Sequence, residues 1–286
     1  MSKLRIAVCQ MEVCLDPAKN FAHAAELVHA AAQNQAEVVI LPEMFHIPYS
    51  LKAMKQNALS VSGEMTAQLS QLARQEKVLL FAGSIAEKEG ENYYNTSLTF
   101  APDGKLLARY RKLHLFDIAI PGKASFTESA LLSSGDSLTV IRYGDWSFAP
   151  VICYDIRFPE LIRLLTDAGA QVLVIPASFA RATGEMHWEI TMRCRAVDNQ
   201  IFVAAASTAR SPENAFQPWA HSIIVDPWGN TMAQAQTAEE ILYAELDSSV
   251  LQNARTELPL LAHRHKEFYT VQGNLPIQQV ICPRRE

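Results

Sequence analysis

The chain has 286 residues, of which 49% are hydrophobic and 19% are charged, and its formal net charge at pH 7 is −5. This composition is typical of a folded protein and excludes an intrinsically disordered chain, and the length is sufficient for one large domain or two ordinary ones. The negative net charge provides no basic surface for nucleic acid or for an anionic membrane, so neither partner is expected.

The first residues, MSKLRIAVCQMEVCLDP, reach polar side chains too early for a secretion signal. No stretch approaches the roughly 18 consecutive apolar residues of a membrane-spanning helix. We therefore expect a cytoplasmic protein. The cysteines are odd in number and scattered, without the close spacing of a zinc site or a disulfide framework: Cys9, Cys14, Cys153, Cys194 and Cys282. Reduced thiols and no metal are expected.

Strands and helices alternate along the first half of the chain. The pattern predicts a strand over residues 4–10, an alanine-rich helix over 20–36, and a strand over 37–43 that ends in a proline and an acid. A second helix over 66–77 and a strand over 78–87 follow. Two shorter strands, at 94–101 and 106–116, flank the turn PDGK.

The second half continues the alternation. We predict two strands around a Gly-Asp turn between residues 137 and 155, then a helix at 159–169, a strand at 170–178, a helix at 187–200 and a strand at 201–207. Strands within 220–234 and at 240–247 finish the pattern. Several strands are apolar on both faces, which indicates an α/β fold with helices covering the sheets. The short extended pairs favour a sandwich, and the absence of a linker favours a single domain over residues 1–286.

Three reactive side chains stand where apolar stretches end. Glu43 follows VVILP, Lys112 lies in RYRKLHLFD, and Cys153 follows APVI. Taken singly, a loop acid, a surface lysine and a core cysteine are the commoner interpretations. Taken together, they supply a nucleophile, a base for its proton and a cation for a developing oxyanion. The nearby histidines, His114 and His187, form no obvious Cys-His pair.

The segments LPEMF, YRKLHLFD and ICYDIRFPE resemble, in order and spacing, the Glu, Lys and Cys motifs of the nitrilase superfamily of carbon–nitrogen hydrolases. KLHLFDIAIPGKASFTES and ATGEMHWEITMRCRAVDNQ are most similar to its ω-amidase branch, and the related amidases of deaminated glutathione share much of this pattern. The resemblance covers nearly the whole chain. It implies a four-layer α-β-β-α sandwich, no metal and no organic cofactor, and a homodimer or higher homo-oligomer with a C-terminal tail, about residues 263–286, at the subunit interface.

The resemblance also implies a mechanism. Cys153 attacks an amide carbon, Glu43 acts as the general base, and Lys112 stabilises the oxyanion together with the backbone N–H of Tyr154. A thioester forms and is hydrolysed by water that Glu43 activates. Glu128, in FTES, is a second acid that orients Lys112. For such a nucleophile we expect a lowered pKa of the Cys153 thiol.

An ω-amidase substrate is a short dicarboxylate monoamide, such as α-ketoglutaramate or α-ketosuccinamate, which is converted to the acid and ammonia. Its carboxylate needs a cation, and the candidates are Arg157 and Arg181. For Arg157, a structural ion pair with Asp155 or Glu160 is the alternative. Candidate pocket walls, for which core packing is the alternative, are Phe45, Tyr49, Phe116, Phe179, Met186 and Trp188.

Two departures from the family pattern concern the site. Phe148, Ala149 and Pro150 precede the thiol, where similar proteins have small residues, and the proline indicates an edge strand or a bulge. Glu185 replaces a proline or small residue. Four alternative functions stay open: an amidase of deaminated glutathione, an N-carbamoyl amidohydrolase, a nitrilase, and a catalytically silent scaffold. The intact acid, lysine and thiol argue against the scaffold.

Overall fold

The computed structural model describes residues 2–122, 124–211 and 215–284. Two large β-sheets form its centre. The first has six strands, in the spatial order β14 (Glu240–Asp247), β1 (Lys3–Gln10), β2 (Val38–Ile40), β3 (Leu79–Glu89), β4 (Asn92–Phe100) and β5 (Leu106–Arg111). Strands β1 to β3 pair in parallel, whereas β14, β4 and β5 pair antiparallel with their neighbours.

The second sheet has seven strands, in the order β13 (Thr231–Gln234), β12 (Ile223–Val225), β11 (Phe202–Ser207), β10 (Val172–Ala177), β9 (Trp146–Pro150), β8 (Leu138–Tyr143) and β15 (Ile277–Cys282). Because β9, β10 and β11 pair in parallel, their carboxyl ends meet at one edge of the sheet. A separate antiparallel hairpin consists of β6 (Asp117–Ile120) and β7 (Ala124–Thr127).

The α-helices pack around the two sheets. They are α1 (Pro17–Gln33), α2 (Leu51–Gln56), α3 (Glu64–Glu76), α4 (Pro159–Asp167), α5 (Arg181–Asn199) and α6 (Ser248–Glu257). Helices α1 and α3 pack on the first sheet, and α4 and α5 pack on the second. Within the described part of the chain, none of these helices has the length and apolarity needed to cross a membrane.

The inner faces of the two sheets share one apolar core, to which Phe81 of β3, Phe148 of β9 and Phe202 of β11 contribute. The rings of Phe81 and Phe148 lie 5.6 Å apart, so they join the two sheets directly. The resulting order of layers is helix, sheet, sheet, helix, and it confirms the predicted α-β-β-α sandwich.

Element boundaries follow local chemistry. Helix α1 begins where the Asp16 side chain accepts hydrogen bonds from the N–H groups of Ala18 and Lys19, with proline at the first helical position. Strand β2 ends at Ile40, before the predicted residue 43, because Pro42 cannot donate to the ladder. Helix α5 begins at Arg181, six residues before the predicted start at 187.

Pro150 ends β9, which lies between β10 and β8, so the predicted edge position is wrong. Pairing of β9 with β8 ends at Phe148, whereas the N–H of Val151 donates to the carbonyl oxygen of Val174 in β10 at 2.9 Å. Because successive residues of a strand face opposite sides, the absent N–H of Pro150 would point toward β8, where pairing has already ended. The proline therefore fits the end of a central strand without removing a ladder hydrogen bond.

Candidate active site

Glu43 lies in the loop that follows β2, and a bulge in β3 holds this loop. Gly83 has a φ of +42°, and a Cβ atom there would lie 2.0 Å from the carbonyl oxygen of Pro42. Only glycine allows this approach of the two backbones. The hydroxyl of Ser84 accepts a hydrogen bond at 3.1 Å from the N–H of Met44. The backbone is thereby fixed on both sides of Glu43.

Lys112 comes directly after β5, and its side chain is fully buried. Its backbone N–H donates to the carbonyl oxygen of Asn95 in β4 at 2.8 Å. Its own carbonyl oxygen accepts from the N–H of Gly135 at 2.9 Å. These two bonds fix the backbone from both sides, so the position of the long side chain is set by the fold.

Cys153 begins a short 3-10 helix, Cys153–Arg157, three residues after the end of β9. Its φ of 45° lies in the left-handed region, which costs roughly 1–2 kcal/mol for a residue with a side chain. Such strain persists where surrounding contacts fix it, and it is common at functional sites. The thiol lies near the carboxyl ends of parallel strands, the edge where layered α/β proteins place their sites.

Lys112 binds two carboxylates inside the protein. Its Nζ lies 3.0 Å from Oε1 of Glu43 and 3.0 Å from Oε2 of Glu128, and all three side chains are fully buried. The side-chain amide of Asn95 donates to Oε1 of Glu43 at 2.8 Å and to Oε1 of Glu128 at 3.3 Å. The hydroxyl of Tyr49 donates to Oε1 of Glu128 at 3.1 Å. The structure thus places the predicted acids and lysine in one hydrogen-bonded cluster.

The charges of this cluster hold its members in different states. Burial raises the pKa of Glu43, an effect that Lys112 opposes and Glu128 reinforces. Burial alone would lower the pKa of Lys112, but the carboxylates of Glu128 and Glu43 raise it well above its usual value. Lys112 is therefore an ammonium ion, while Glu43 takes up a proton more readily than an exposed glutamate does.

Cys153 is buried, with 5% of the residue exposed. Burial raises its pKa well above the usual range, the neighbouring Glu43 carboxylate raises it further, and Lys112 opposes them. The predicted lowering of this pKa is therefore wrong for the free protein, because the sequence does not show that the thiol is buried beside an acid. The resting group is a neutral thiol.

The two oxygens of Glu43 have different surroundings. Oε1 is bound by both Lys112 and Asn95. Oε2 is buried and accepts no hydrogen bond of regular geometry from the described residues, although the nearby Cys153 thiol interacts with the carboxyl group and lowers its pKa. Oε2 is therefore the oxygen that is open to a proton.

A small cavity of about 20 Å³ adjoins Glu43 and is lined by Val13, Glu43, Ile47, Pro48, Tyr49, Ser178, Thr208, Ala209, Phe216 and Pro218. This volume is sufficient for one water molecule. A larger cavity of about 700 Å³ shares Val13 with it and extends toward Cys14, Lys19 and His23. The acid thus has room beside it for a single water-sized reactant. Over residues 2–122, 124–211 and 215–284, His, Cys, Asp and Glu side chains form no group suited to a metal ion.

The two candidate arginines differ in their surroundings. Arg157 is half-buried, with Nη1 3.0 Å from Nδ1 of His187 and its guanidinium 4.8 Å from the centre of the Phe179 ring. Among the described residues it forms no ion pair with a carboxylate, so the alternative pairing with Asp155 or Glu160 is wrong. Burial lowers its pKa, and its guanidinium interacts electrostatically with the Cys153 thiol.

Arg181 is exposed at the start of α5. It lies near Arg210. Burial lowers the pKa of Arg210, and the positive charge of Arg181 lowers it further. The structure therefore places Arg157 close enough to Cys153 for their charges to interact, whereas Arg181 lies near Arg210.

Three of the aromatic candidates lie at the site. Tyr49 belongs to the Lys112 cluster, and the backbone N–H of Phe116 donates to Oε2 of Glu128 at 2.6 Å. The Phe116 ring lies 5.2 Å from that of Tyr154, the residue after the thiol. Phe179 lies beneath Arg157.

The other three candidates are two buried core residues and one exposed residue. Phe45 is fully buried between the first sheet and its helices, and Trp188 is fully buried beneath α5, where its Nε1 donates to the carbonyl oxygen of His221 at 2.6 Å. Met186 is 58% exposed on the outer face of α5. The Trp188 ring also packs against the ring of Phe179, with centroids 5.0 Å apart. A role of these three residues as pocket walls stays a prediction.

Sequence reasoning missed two buried polar residues. Asn95 lies in β4, where its only signal is a polar residue inside a strand, and it binds both acids of the cluster. Asp155 enters the sequence prediction only as a partner of Arg157, yet it is fully buried and accepts hydrogen bonds from other segments.

The chain belongs to the carbon–nitrogen hydrolases, the family whose sequence profile matches residues 5–256. The chain is therefore an amide-hydrolysing enzyme of the nitrilase superfamily. It is similar to the omega-amidase of Mus musculus, with 41% identity over 276 residues that make up 96% of this chain and 100% of that protein. The omega-amidase of Homo sapiens is 40% identical over the same shares of the two chains.

Solved structures show the same fold. Nit3 of Saccharomyces cerevisiae, a member of branch 10 of the nitrilase superfamily, superimposes with a TM-score of 0.85 and 36% identity, covering 93% of this chain and 97% of that one. An amidase of Nesterenkonia sp. AN1, solved with acrylamide added at its active-site cysteine, gives a TM-score of 0.76 and 26% identity over 93% of this chain and 100% of that one.

Proposed function

We propose that this enzyme hydrolyses a small carboxylate-bearing ω-amide, such as α-ketoglutaramate or α-ketosuccinamate, through a thioester on Cys153. The observation that carries the proposal is the buried ammonium of Lys112, held by Glu43 and Glu128 beside a thiol at a strained position. A base, a cation and a nucleophile are the groups that acyl transfer requires. The similarity to omega-amidases supports the choice of substrate.

In the first step, Oε2 of Glu43 accepts the thiol proton as Sγ of Cys153 attacks the amide carbon. The raised pKa of both groups favours this concerted transfer, because a free thiolate beside the acid would be costly. Negative charge then develops on the amide oxygen. Lys112 stabilises this charge together with the N–H of Tyr154, which lies in the first turn of the 3-10 helix, where N–H groups lack partners within the helix.

In the second step, the proton on Glu43 passes to the amide nitrogen, the C–N bond breaks and ammonia leaves. The acyl group stays on Sγ as a thioester. A water molecule in the small cavity beside Glu43 gives its proton to the acid and attacks the thioester carbon. Breaking the C–S bond releases the carboxylic acid and returns the proton to the thiol, so the enzyme is restored.

Arg157 is the cation that we assign to the substrate carboxylate. It is half-buried, interacts electrostatically with the thiol, and forms no ion pair with a carboxylate in the described part of the chain. A desolvated arginine without an acidic partner gains from a bound carboxylate, which it can contact through two parallel hydrogen bonds. This argues for an amide whose other end is anionic.

Ammonia release from four substrates tests the proposal: α-ketoglutaramate, deaminated glutathione, an N-carbamoyl acid and a simple nitrile. We expect turnover of α-ketoglutaramate by the native enzyme and by Cys194→Ala, an exposed-cysteine control, and none by Cys153→Ala. Absence of turnover with α-ketoglutaramate would refute the substrate. Turnover by Cys153→Ala would refute the mechanism.

We further propose that two copies associate through the outer face of α5. Met186, Ile190 and Val197 are 58%, 64% and 36% exposed there, and with Trp228 they line an apolar groove. A stripe of this kind usually marks an interface. Glu189 and Arg193 lie on the same face, so a two-fold arrangement of antiparallel helices would bring opposite charges together.

The exposed rings of Phe268 and Tyr269 support a contribution of the C-terminal tail, from about residue 263, to the same assembly. Sedimentation velocity of the native chain and of Ile190→Glu tests the arrangement, with a dimer expected for the first and a monomer for the second. A native monomer would contradict it. The cytoplasmic location stays a prediction.

A further inference from the structure

We infer that Asp155 is a positioning residue that fixes the thiol of Cys153 relative to the ammonium group of Lys112. This inference rests on the function proposed above, in which the thiol and the ammonium group act on the same carbonyl. Asp155 is fully buried and lies two residues after the thiol.

The carboxylate of Asp155 binds two separate segments of the chain. Its Oδ2 accepts from the hydroxyl of Tyr110 at 2.7 Å and from the N–H of Ile152 at 3.0 Å. Its Oδ1 accepts from the N–H of His114 at 2.9 Å and lies 2.8 Å from Nδ1 of the same residue. Both oxygens are therefore saturated by groups of the protein.

The sequence positions of these partners show which parts of the site Asp155 connects. Tyr110 and His114 lie two residues before and two residues after Lys112, while Ile152 directly precedes Cys153. One carboxylate thus holds both flanks of the lysine and the residue that leads into the strained turn. Lys112 follows β5 of the first sheet and Cys153 lies just after β9 of the second sheet, so this contact joins the ends of the two sheets at the reacting groups.

The hydrogen bonds to Asp155 are stronger than hydrogen bonds between two neutral groups. Hydrogen bonds from neutral donors to a buried carboxylate are charge-assisted and shorter than bonds between neutral groups. Burial and the Asp155 carboxylate raise the pKa of Tyr110 well above its usual value, so the hydroxyl stays protonated and donates. The His114 ring also stacks on the Phe158 ring with centroids 3.5 Å apart, which fixes its orientation.

Displacing a reacting group by about 1 Å can cost on the order of 100-fold in rate without affecting substrate binding. Asp155→Asn keeps the shape of the side chain but replaces one acceptor by an NH₂ group that faces donors. We expect it to lower kcat roughly 100-fold, and Tyr110→Phe, which removes a single bond, roughly 10-fold. For both variants KM should stay within about threefold, because Arg157 is untouched.

The experiment measures kcat and KM for ammonia release, at a temperature where circular dichroism shows each variant folded. Tyr243→Phe in β14, on the far side of the first sheet, is the matched control and should stay within about twofold of the native enzyme. In the double variant of Asp155→Asn and Tyr110→Phe, kcat should be no lower than in Asp155→Asn alone, because both changes break one unit.

Two results would overturn the inference: kcat within about twofold of native in Tyr110→Phe, or multiplicative losses in the double variant. Tyr110→Phe keeps the test valid if Asp155→Asn does not fold. The proposed function is tested separately by Cys153→Ala. Inactive Cys153→Ala together with fully active Tyr110→Phe refutes the positioning role alone, whereas active Cys153→Ala refutes the function on which it rests.

Discussion

The burial of His46 predicts that the folded chain loses stability in acid. His46 is fully buried three residues after Glu43, and within the described residues neither ring nitrogen makes a hydrogen bond of regular geometry. Burial lowers its pKa from 6.5 to about 3, and the backbone of Asn57 opposes this only in part. At neutral pH the imidazole is therefore uncharged in the folded chain and mostly uncharged in the unfolded chain.

The magnitude follows from linkage. Between pH 6.5 and pH 3, the unfolded chain binds a proton that the folded chain excludes, so the free energy of unfolding falls as the pH is lowered through this window. The difference between the two pKa values, 6.5 minus about 3, is about 3.5 units, which corresponds to at most about 5 kcal/mol at 1.36 kcal/mol per unit. About 2 kcal/mol of this should already be lost at pH 5.

Urea unfolding of the native chain and of His46→Phe, at about pH 7.5 and about pH 5, measures this contribution. Other groups also titrate, so the informative quantity is the difference between the two proteins in their loss of stability. We expect the native chain to lose about 2 kcal/mol more than His46→Phe. His29→Gln, at an exposed position in α1, is the control and should behave like the native chain. Equal losses in the native chain and in His46→Phe would show that His46 does not contribute to the loss of stability in acid.

Three further predictions concern the site and its supports. Lys112→Met should lower kcat about 100- to 1,000-fold, because it removes an oxyanion donor and leaves two buried carboxylates without a cation, and steady-state kinetics measures this; a loss under about 10-fold would contradict the role. Gly83→Ala should lower the thermal midpoint, because a Cβ atom would lie 2.0 Å from the oxygen of Pro42, and an unchanged midpoint by calorimetry would argue against the bulge. Asp16→Ala should reduce the free energy of unfolding by about 1 kcal/mol through loss of the α1 cap, and no change in urea unfolding would show that the cap is not needed.

Much of the fold follows from local sequence pattern, whereas the elements that this pattern does not predict depend on tertiary packing. The alternating apolar strands and the alanine-rich α1 are visible in the sequence because their periodicity is strong. The hairpin of β6 and β7, the helices α2 and α6, and strand β15 were not predicted, since they are short and several of their residues are exposed. Their structure depends on tertiary packing, which a local pattern does not contain.

The residues of the site also fall into those that the sequence pattern predicts and those that it does not. Glu43, Lys112 and Cys153 stand out because each is a reactive group at the end of an apolar stretch. Asn95 and Asp155 do not stand out, because the importance of each comes from contacts between segments distant in sequence. The predicted lowering of the Cys153 pKa is wrong for a related reason, because burial beside Glu43 is a property of the folded chain.

Intact-protein mass spectrometry of the enzyme, quenched in acid during turnover of α-ketoglutaramate, tests the thioester mechanism most directly. A thioester intermediate gives a covalent adduct with the mass of the substrate minus ammonia, located by peptide mapping on Cys153 and absent from Cys153→Ala. Turnover without any adduct in rapidly quenched samples, or an adduct on Cys9, Cys14, Cys194 or Cys282, would contradict the thioester mechanism.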